Sequence, residues 1–476
     1  MSDLVNRLWG FCHTVRHDGI GYAFYVEQLT YLLFLKMAEE KGVDLPKRCN
    51  WNTLADLSGT ELIDGYTDIL RALGKTQGIL GDIFANAQNR FGKAVNLKKL
   101  ISLIGEVEWT SLGADIKAAA YEGLLEKAAS EGKKGAGQYF TPRVLIQSIV
   151  RCMKPDPRAR PDFTICDPAC GTGGFLVNVH EWLSNETKGA LERDVARRVR
   201  AKTYFGQDID QEPRRLALMN LYLHGIEPHI RLGDAIYEPP QSERFDVILT
   251  NPPFGTRGAN QSPGRDDFTV ATSNKQLNFV QHVLTLLKPG GRAAVVLPDN
   301  CLFEDQAGEV FKILMEDCDL HTVLRLPRGT FTPYSQGVKA NVVFFTKGTP
   351  TRTIWIYDER TNVPQVTKKG RPLTEDHFRE FEKCFGADPN RHTKRRESDS
   401  TEDRWHSFSI EKVKERAYKL DGFKWLKDES LDDGDDLPEP EELVTEAIGH
   451  LQGAVAELST VLNVLSDDRP GTTREP

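Results

Sequence analysis

The most constraining feature of the chain is an alternation, from residue 163 to residue 346, of short apolar runs with segments of helical apolar spacing. This alternation is typical of a parallel sheet flanked by helices, because each strand returns to the same edge of the sheet through a helix. We therefore predict a doubly wound α/β domain. The predicted strands are 163–167, 203–208, 245–249, 292–297, 322–326 and 342–346, and the helices include 176–182, 213–224 and 279–287.

The residues before this domain have a helical texture. Apolar residues recur at three- and four-residue spacings between residues 25 and 40, which predicts one apolar helix face. Shorter helical patterns follow at 68–73, 97–104 and 116–129, and strand-like runs are nearly absent. The pattern therefore predicts a helical N-terminal domain over residues 1–132.

The residues after the α/β domain divide into two parts. A strand-like run at 353–357 precedes a polar stretch, which indicates an irregular extension of the domain over 351–427. Nine acids and no bases then fill 428–442, and 443–465 shows heptad-like apolar spacing. We expect an α/β domain over 133–350, its irregular extension, and an acidic linker with a C-terminal helix over 428–476.

Charge limits how this chain interacts with nucleic acid. It has 61 Lys and Arg residues against 69 Asp and Glu residues, a formal net charge of −8. A protein that grips nucleic acid alone usually presents a basic face, so a DNA-binding function needs local basic clusters or a partner that supplies most of the grip. The basic segment 185–202 is interpreted first as a solvated surface helix, with phosphate binding as the alternative for Arg193, Arg197, Arg198 and Arg200.

The sequence predicts neither a membrane span nor a metal site. The most apolar early stretch, 28–35, is broken by Lys36 and is far shorter than the roughly 18–20 residues that span a bilayer. The eight cysteines lack the spacing of zinc ligands. We expect reduced cysteines in a cytoplasmic protein.

A glycine-rich turn follows the first predicted strand, in Asp167-Pro-Ala-Cys-Gly-Thr-Gly-Gly-Phe175. Glycines allow a tight strand-to-helix turn and a close approach of a ligand to the backbone. The spacing departs from the dinucleotide fingerprint, and a carboxylate beside the turn suits an amine-bearing ligand better than a pyrophosphate. Asp208 ends the second predicted strand, where it can accept both hydroxyls of a ribose, and Asp234 is placed to bind an adenine amino group. The candidate cofactor-binding residues are Asp167, Gly171, Thr172, Gly173, Gly174, Asp208 and Asp234.

The decisive motif is Asn251-Pro-Pro-Phe254, which follows the predicted strand 245–249. Two prolines stiffen a loop at the carboxyl edge of the sheet, where α/β proteins bind ligands. The N6 amine of adenine is a poor nucleophile because its lone pair is delocalised, and two acceptors, the Asn251 side-chain oxygen and the Pro252 carbonyl, can expose that lone pair. Phe254 can stack on a base that has left the duplex, which offsets an unstacking cost of a few kcal/mol. We therefore predict catalytic roles for Asn251, Pro252, Pro253 and Phe254.

With these motifs the chain resembles the methylation subunits of type I restriction–modification systems, which are N6-adenine DNA methyltransferases. The resemblance rests on residues 137–142, 167–175, 251–254, 272–276 and 289–298. It implies a Rossmann-like catalytic domain that uses S-adenosylmethionine. It also implies that Phe331 stacks on the second face of the flipped base. The segment that would close over the cofactor consists of Gln138, Tyr139, Phe140, Thr141, Pro142 and Arg143.

The same resemblance implies partners. Two methylation subunits and one specificity subunit form the methyltransferase, to which a restriction subunit can add, and the specificity subunit chooses the site on double-stranded DNA. This division of labour would explain the acidic net charge. The natural contact surfaces are the N-terminal helical domain and the C-terminal helix.

Two other functions fit parts of the sequence. The same pocket could methylate a protein glutamine or an RNA base, although a small protein methyltransferase has no evident need of the large helical N-terminal domain. A scaffold subunit could bind the cofactor without turnover, but a scaffold has no need of the amine-polarising motif at Asn251–Phe254.

Overall fold

The computed structural model describes most of the helical and α/β parts of the chain. The described residues are 10–11, 22–43, 45–109, 141–254, 262–304, 306–332, 337–367, 370–390, 393, 395 and 403–427. The predicted helices at 116–129 and 443–465, the acidic linker and residues Gln138–Phe140 lie outside them.

The N-terminal part is helical, as the sequence indicates. Its described helices are α1 (Tyr22–Glu40), α2 (Trp51–Asp56), α3 (Gly59–Leu73), α4 (Ile79–Phe84) and α5 (Ala94–Gly105). The polar residues Gln28 and Thr30 of α1 are buried along with its apolar residues, so α1 is a central helix rather than one with a single apolar face. The Gln28 amide is satisfied by the Gln88 carbonyl, to which its Nε2 donates at 2.9 Å.

A nine-stranded sheet forms the centre of the described part of the chain. Its strands, in chain order, are β1 (Ile165–Asp167), β2 (Tyr204–Asp208), β3 (His229–Leu232), β4 (Phe245–Thr250), β5 (Leu287–Pro298), β6 (Cys318–Arg325), β7 (Ala340–Lys347), β8 (Thr353–Asp358) and β9 (Trp405–Ser409). They lie in the order β3-β2-β1-β4-β5-β7-β6-β8-β9.

The sheet is mixed, which corrects the prediction of a parallel one. β1 to β5 pair in parallel, but β7 is antiparallel to both β5 and β6, and β9 is antiparallel to β8. The chain passes from β6 directly to its neighbour β7, and an antiparallel neighbour needs no crossover helix. The residues after Thr351 add β8 and β9 to this sheet, so this segment is more regular than the sequence indicated.

Helices cover both faces of the sheet. They are α6 (Arg143–Met153), α7 (Gly174–Glu186), α8 (Arg193–Lys202), α9 (Gln211–Leu223), α10 (Lys275–Leu286), α11 (Ala307–Asp317), α12 (Asp376–Phe385) and α13 (Ile410–Glu415). Alternate strand residues enter separate apolar clusters, for example Ile165 with the N-terminal helices, α6, α7 and α9, and Cys166 with α10 and α11. None of the helices in the described ranges is long and apolar enough to cross a bilayer.

The helical domain is anchored to α9, the helix that follows β2. Arg215 of α9 is buried and forms an ion pair with Glu27 of α1. Its guanidinium also donates to the Ala85 carbonyl at 2.6 Å. Separating the helical domain from α9 would leave the charges of this buried ion pair without partners, which is strongly unfavourable. The contact therefore holds the helical domain against α9, the helix that starts beside Asp208.

Candidate active site

Three neighbouring strands of the sheet end in the predicted site residues. β1 lies between β2 and β4, and these strands end at Asp167, Asp208 and Thr250, the last followed at once by Asn251. The parallel pairing therefore brings Asp167, Asp208 and Asn251 to one edge of the sheet, as the sequence predicts.

The glycine-rich turn wraps tightly between β1 and α7. Gly171 and Gly173 have φ angles of +51° and +80°, a region that favours glycine. A Cβ on Gly173 would also lie 3.4 Å from the Ala217 Cβ of α9, so close helix packing favours glycine there too. Asn220 of the same helix fixes the turn, since its Nδ2 donates to the Thr172 carbonyl at 3.1 Å.

Asp208 joins the turn to β2. Its Oδ2 accepts the backbone N–H of Gly171 at 2.9 Å, and its Oδ1 accepts that of Asp210 at 2.9 Å. Burial raises the pKa of this carboxyl, and the two backbone hydrogen bonds oppose that rise. Each oxygen retains a further lone pair, so the carboxylate can still accept the two hydroxyls of a ribose.

Asp167 is a buried carboxyl, with 2% of its surface exposed. Its Oδ1 accepts the Ala169 N–H at 3.1 Å. No lysine, arginine or histidine within the described ranges forms an ion pair with it, and burial raises its pKa to about 7. A cation placed beside it would stabilise the ionised form, which is the chemistry expected of an amine-binding site.

Two exposed apolar side chains beside Asp208 did not emerge from the sequence. Ile209 directly follows Asp208 and is 66% exposed, and Leu232, which is 46% exposed, pairs with Asp208 across β2 and β3. Both are therefore exposed apolar side chains next to the residue predicted to bind the ribose. The sequence feature that could have pointed to Ile209 is an isoleucine immediately after an acidic residue that ends a strand.

Asp234 is engaged in its own turn. Its Oδ1 accepts the backbone N–H groups of Ile236 at 2.8 Å and Tyr237 at 3.0 Å. Its own N–H donates to Glu238 Oε1 at 3.0 Å. These contacts fit the plainer interpretation of a turn-stabilising acid, and binding of an adenine amino group by Asp234 stays a prediction.

The Asn251 carboxamide is held on one side only. Its Nδ2 donates to the Thr141 Oγ1 at 2.8 Å. Its Oδ1 is buried and, among the described residues, accepts no hydrogen bond. A buried acceptor without a hydrogen bond lowers the free energy of unfolding by about 1–3 kcal/mol. This oxygen is therefore suited to accept a hydrogen bond from a bound molecule.

The loop after Asn251 is fixed from α10. Gln276 Nε2 donates to the Pro253 carbonyl at 2.7 Å, whereas no hydrogen bond between described residues ends on the Pro252 carbonyl. Asn274 begins the helix by accepting the Leu277 N–H at 3.0 Å on its Oδ1, which places Gln276 in the first turn. The motif at 272–276 is thus a helix cap that directs Gln276 to the loop. The sequence did not identify this role.

The two predicted stacking residues are in contact. The rings of Phe254 and Phe331 have centroids 5.4 Å apart and are inclined at 87°. Phe331 is fully buried and Phe254 is 5% exposed. The structure thus brings Phe331 to the site, and it also makes Phe331 a core residue.

The loop that carries Phe331 is braced by the segment after β8. Arg360 donates to the carbonyls of Leu326 at 3.2 Å and Ala340 at 2.8 Å, the two ends of the β6–β7 connection. It also donates to Asp299 Oδ2 at 2.6 Å, just after β5. One guanidinium therefore joins three strand ends at the edge of the sheet that carries Asn251.

Other sequence-predicted residues lie at the start of α6 or on α8. Pro142 caps α6, and Arg143 pairs with Glu181 of α7 at 2.7 Å. The four arginines Arg193, Arg197, Arg198 and Arg200 lie on α8, which leads into the start of β2 and so lies at the opposite edge from Asp208. This position agrees with a surface helix. The seven described cysteines are free thiols, and the described residues contain no cluster suited to a metal ion.

Comparison with known proteins agrees with this geometry. The family model for N-6 DNA methylases matches residues 113–433, which include every strand of the sheet and the Asn251–Phe254 loop. The chain belongs to the N-6 DNA methylase family.

Within the N-6 DNA methylases, the chain is similar to type I methylase subunits along almost its whole length. It is 38% identical to the type I restriction enzyme EcoKI methylase subunit of Escherichia coli K12, over 98% of this chain and 95% of that protein. Identity to the StySPI methylase subunit of Salmonella potsdam is also 38%, with the same coverage. This chain is therefore a type I methylase subunit of the N6-adenine DNA methyltransferase family.

Solved structures of type I methylases share this fold. The crystal structure of the EcoKI M protein aligns with a TM-score of 0.55 at 35% identity, over 97% of this chain and 96% of that one. A chain from a structure concerned with complex assembly of the type I R-M system aligns with a TM-score of 0.72 at 28% identity, over 98% and 99%. These alignments confirm the predicted Rossmann-like methyltransferase architecture.

Proposed function

We propose that this N-6 DNA methylase transfers the methyl group of S-adenosylmethionine to the N6 of an adenine flipped out of double-stranded DNA. A separate specificity subunit chooses the site, and the modification protects host DNA from a restriction subunit. The proposal rests chiefly on the buried Oδ1 of Asn251, which accepts no hydrogen bond from a described residue and lies at the sheet edge where Asp167 and Asp208 also end their strands.

The residues at the ends of β1, β2 and β3 fit S-adenosylmethionine. Asp208 is placed to accept the ribose hydroxyls, and the turn leaves the backbone open at Gly171, whose N–H Asp208 accepts. Asp167 supplies a carboxylate for the amino group of the methionine part, and Ile209 offers an apolar surface for the adenine ring. When bound, the sulfonium supplies an activated methyl group with a neutral leaving group.

The Asn251 loop activates the acceptor amine. Asn251 Oδ1 and the Pro252 carbonyl each accept one N–H of the N6 amine, which draws the nitrogen toward tetrahedral geometry and exposes its lone pair. Gln276 occupies the Pro253 carbonyl and stiffens the loop, so the two acceptors are positioned before the base arrives. Acceptors fixed in advance stabilise developing positive charge on nitrogen without reorganisation cost.

Positioning accounts for the remainder of the catalysis. Holding the methyl donor and the acceptor amine in line lowers the entropic cost of bringing them together. The reaction requires no covalent enzyme intermediate. Phe254 offers a face on which the extruded base can stack, which offsets part of the cost of leaving the duplex. Phe331 packs edge-on against Phe254 and supports its ring, so a second stacking face from Phe331 would require the two rings to separate.

The assembly follows from charge and from similarity. The net charge of −8 is unsuited to gripping DNA alone, and the EcoKI and StySPI relatives are named methylase subunits. We expect two copies of this chain to bind one specificity subunit and a restriction subunit to join the larger complex. We expect the N-terminal helical domain and the sequence-predicted helix at 443–465 to supply the contact surfaces.

The test is a methylation assay on the complex of this chain with its specificity subunit. Tritiated S-adenosylmethionine is incubated with the complex and unmodified genomic DNA, and in parallel reactions with RNA or protein, and the labelled products are separated. Label in N6-methyl-2′-deoxyadenosine supports the proposal. Label in cytosine derivatives, or in RNA or protein but not DNA, refutes it.

A further inference from the structure

The contact between Thr141 and Asn251 joins two parts of the site that are 110 residues apart in sequence. Thr141 precedes α6, and Asn251 follows β4. The described hydrogen bonds of the Asn251 side chain consist of this one contact, in which Nδ2 donates to Thr141 Oγ1 at 2.8 Å. In this orientation Thr141 therefore anchors the nitrogen end of the carboxamide and leaves the oxygen end for another donor.

That orientation decides whether the site can work. The two ends of a carboxamide have nearly the same shape but opposite hydrogen-bonding character, one accepting and the other donating. With Nδ2 on Thr141, the buried Oδ1 accepts no hydrogen bond from a described residue and keeps its acceptor capacity for a donor. With the carboxamide reversed, an N–H would face the N–H groups of the target amine, and two donors repel.

Thr141 is itself held firmly. Pro142 caps α6 and its carbonyl accepts the Ile146 N–H at 3.1 Å. Arg143 then pairs with Glu181 of α7, whose carboxylate is 2.7 Å from the guanidinium. Thr141 is therefore attached to the start of a helix that is fixed to a second helix, which makes it a stable reference point for the carboxamide.

We propose that Thr141 is a positioning residue for methyl transfer, which holds the Asn251 carboxamide with its nitrogen away from the base and its oxygen toward the N6 amine. The inference rests on the proposed function, because it assigns that oxygen to the target amine. It differs from the cofactor-binding role that the resemblance implies for Thr141.

The two roles separate in kinetics. Thr141→Val keeps the size and β-branching of the side chain but removes the acceptor, whereas Thr141→Ser keeps the hydroxyl. If Thr141 positions Asn251, the valine variant in the complex with its specificity subunit loses about tenfold in kcat, the effect of one lost hydrogen bond of ordinary strength. Its Kd for S-adenosylmethionine stays within about twofold of the wild type, and Thr141→Ser restores most of the kcat.

Crystal structures of the wild type and of Thr141→Val supply a readout that needs no activity. We expect the Asn251 carboxamide to be rotated or spread over two orientations in the valine variant. A wild-type kcat in Thr141→Val overturns the inference, as does an unmoved Asn251, or a loss of activity that saturating S-adenosylmethionine fully restores.

The proposed function and this inference fail in different ways. A wild-type complex that methylates no adenine refutes the function, and the two crystal structures still decide whether Thr141 orients Asn251. An active wild type with an equally active valine variant leaves the function intact and removes the role of Thr141.

Discussion

The rings of Phe254 and Phe331 meet nearly at right angles, with centroids 5.4 Å apart. A base stacked between two parallel rings needs them about 7 Å apart, which is two van der Waals separations. The observed pair therefore leaves no gap for a base between the rings. Perpendicular packing is a favourable arrangement for aromatic pairs, so Phe331 supports the Phe254 ring in this structure.

This packing predicts different consequences for the two phenylalanines. Phe254→Leu keeps an apolar side chain but loses the ring face, and we expect kcat/KM to fall by about 5- to 100-fold, the effect of losing one base–aromatic stack of about 1–3 kcal/mol. Phe254→Tyr keeps the ring and serves as the control. Phe331→Leu should lower the Tm through its buried site and change kcat/KM less than Phe254→Leu. A larger kinetic loss in Phe331→Leu than in Phe254→Leu would reverse these roles.

The Asn251 side chain is predicted to act on chemistry rather than on cofactor binding. Asn251→Ala removes the acceptor for the target amine, and we expect methyl transfer to fall by at least about 100-fold, as for other groups that stabilise developing charge. Binding of S-adenosylmethionine, measured by calorimetry, should persist. Asn185→Ala, an exposed asparagine on α7, is the matched control. Near-wild-type turnover in Asn251→Ala contradicts the assigned role.

The buried Asp167 predicts a pH dependence of cofactor binding. Burial raises the pKa of this carboxyl to about 7, so it is mostly protonated at pH 6 and mostly ionised at pH 8. If the carboxylate holds the amino group of S-adenosylmethionine, affinity rises with pH through 7, by up to about tenfold. The stability of the ligand-free protein changes in the opposite sense, because the contribution of the protonated form is complete below the ordinary pKa of an aspartic acid and is lost as pH rises through 7.

Calorimetric titrations between pH 6 and 7.5 test this dependence. Asp167→Asn cannot ionise, so its affinity for S-adenosylmethionine should show little change over the range. Methylthioadenosine, which lacks the amino acid part of the cofactor, should bind the wild type equally well at both ends of the range. The same pH profile in wild type and Asp167→Asn rules out the role of this carboxyl.

The Arg360 contacts predict that the segment after β8 controls the order of the Phe331 loop. Arg360→Met removes the contacts to Leu326, Ala340 and Asp299, and hydrogen bonds to charged groups contribute about 1.5–3 kcal/mol each. We expect faster amide hydrogen exchange in the β6–β7 connection and a lower kcat. Arg352→Met, at an exposed arginine just before β8, should change neither. Unchanged exchange in Arg360→Met would show that the loop is ordered without this brace.

Local patterns were sufficient to predict the strand ends that carry the site. Asp167, Asp208 and Asn251 each follow a buried apolar run, and parallel strands end at one edge, so their convergence follows from the sequence pattern alone. The prediction of the glycine-rich turn was equally local, because Gly171 and Gly173 are favoured there by backbone conformation.

Contacts between distant segments were not predictable in the same way. The Gln276–Pro253 and Thr141–Asn251 hydrogen bonds join residues 23 and 110 positions apart, and no periodicity encodes them. The antiparallel insertion of β7 between β5 and β6 depends on which complete strands pair with each other. Apolar runs predict strands but do not determine their neighbours or their direction. The perpendicular packing of Phe331 on Phe254 depends likewise on tertiary structure, because a core phenylalanine and a base-stacking one look alike in sequence.

Single-molecule sequencing of host DNA can show whether Asn251 of this chain activates the N6 of adenine. N6-methyladenine is scored in the parent strain, in a deletion of the gene, and in the deletion complemented with wild type or with Asn251→Ala. We predict that N6-methyladenine at one split recognition sequence is lost on deletion, returns with the wild type and does not return with Asn251→Ala. A mark that survives the deletion, or that returns with Asn251→Ala, contradicts it.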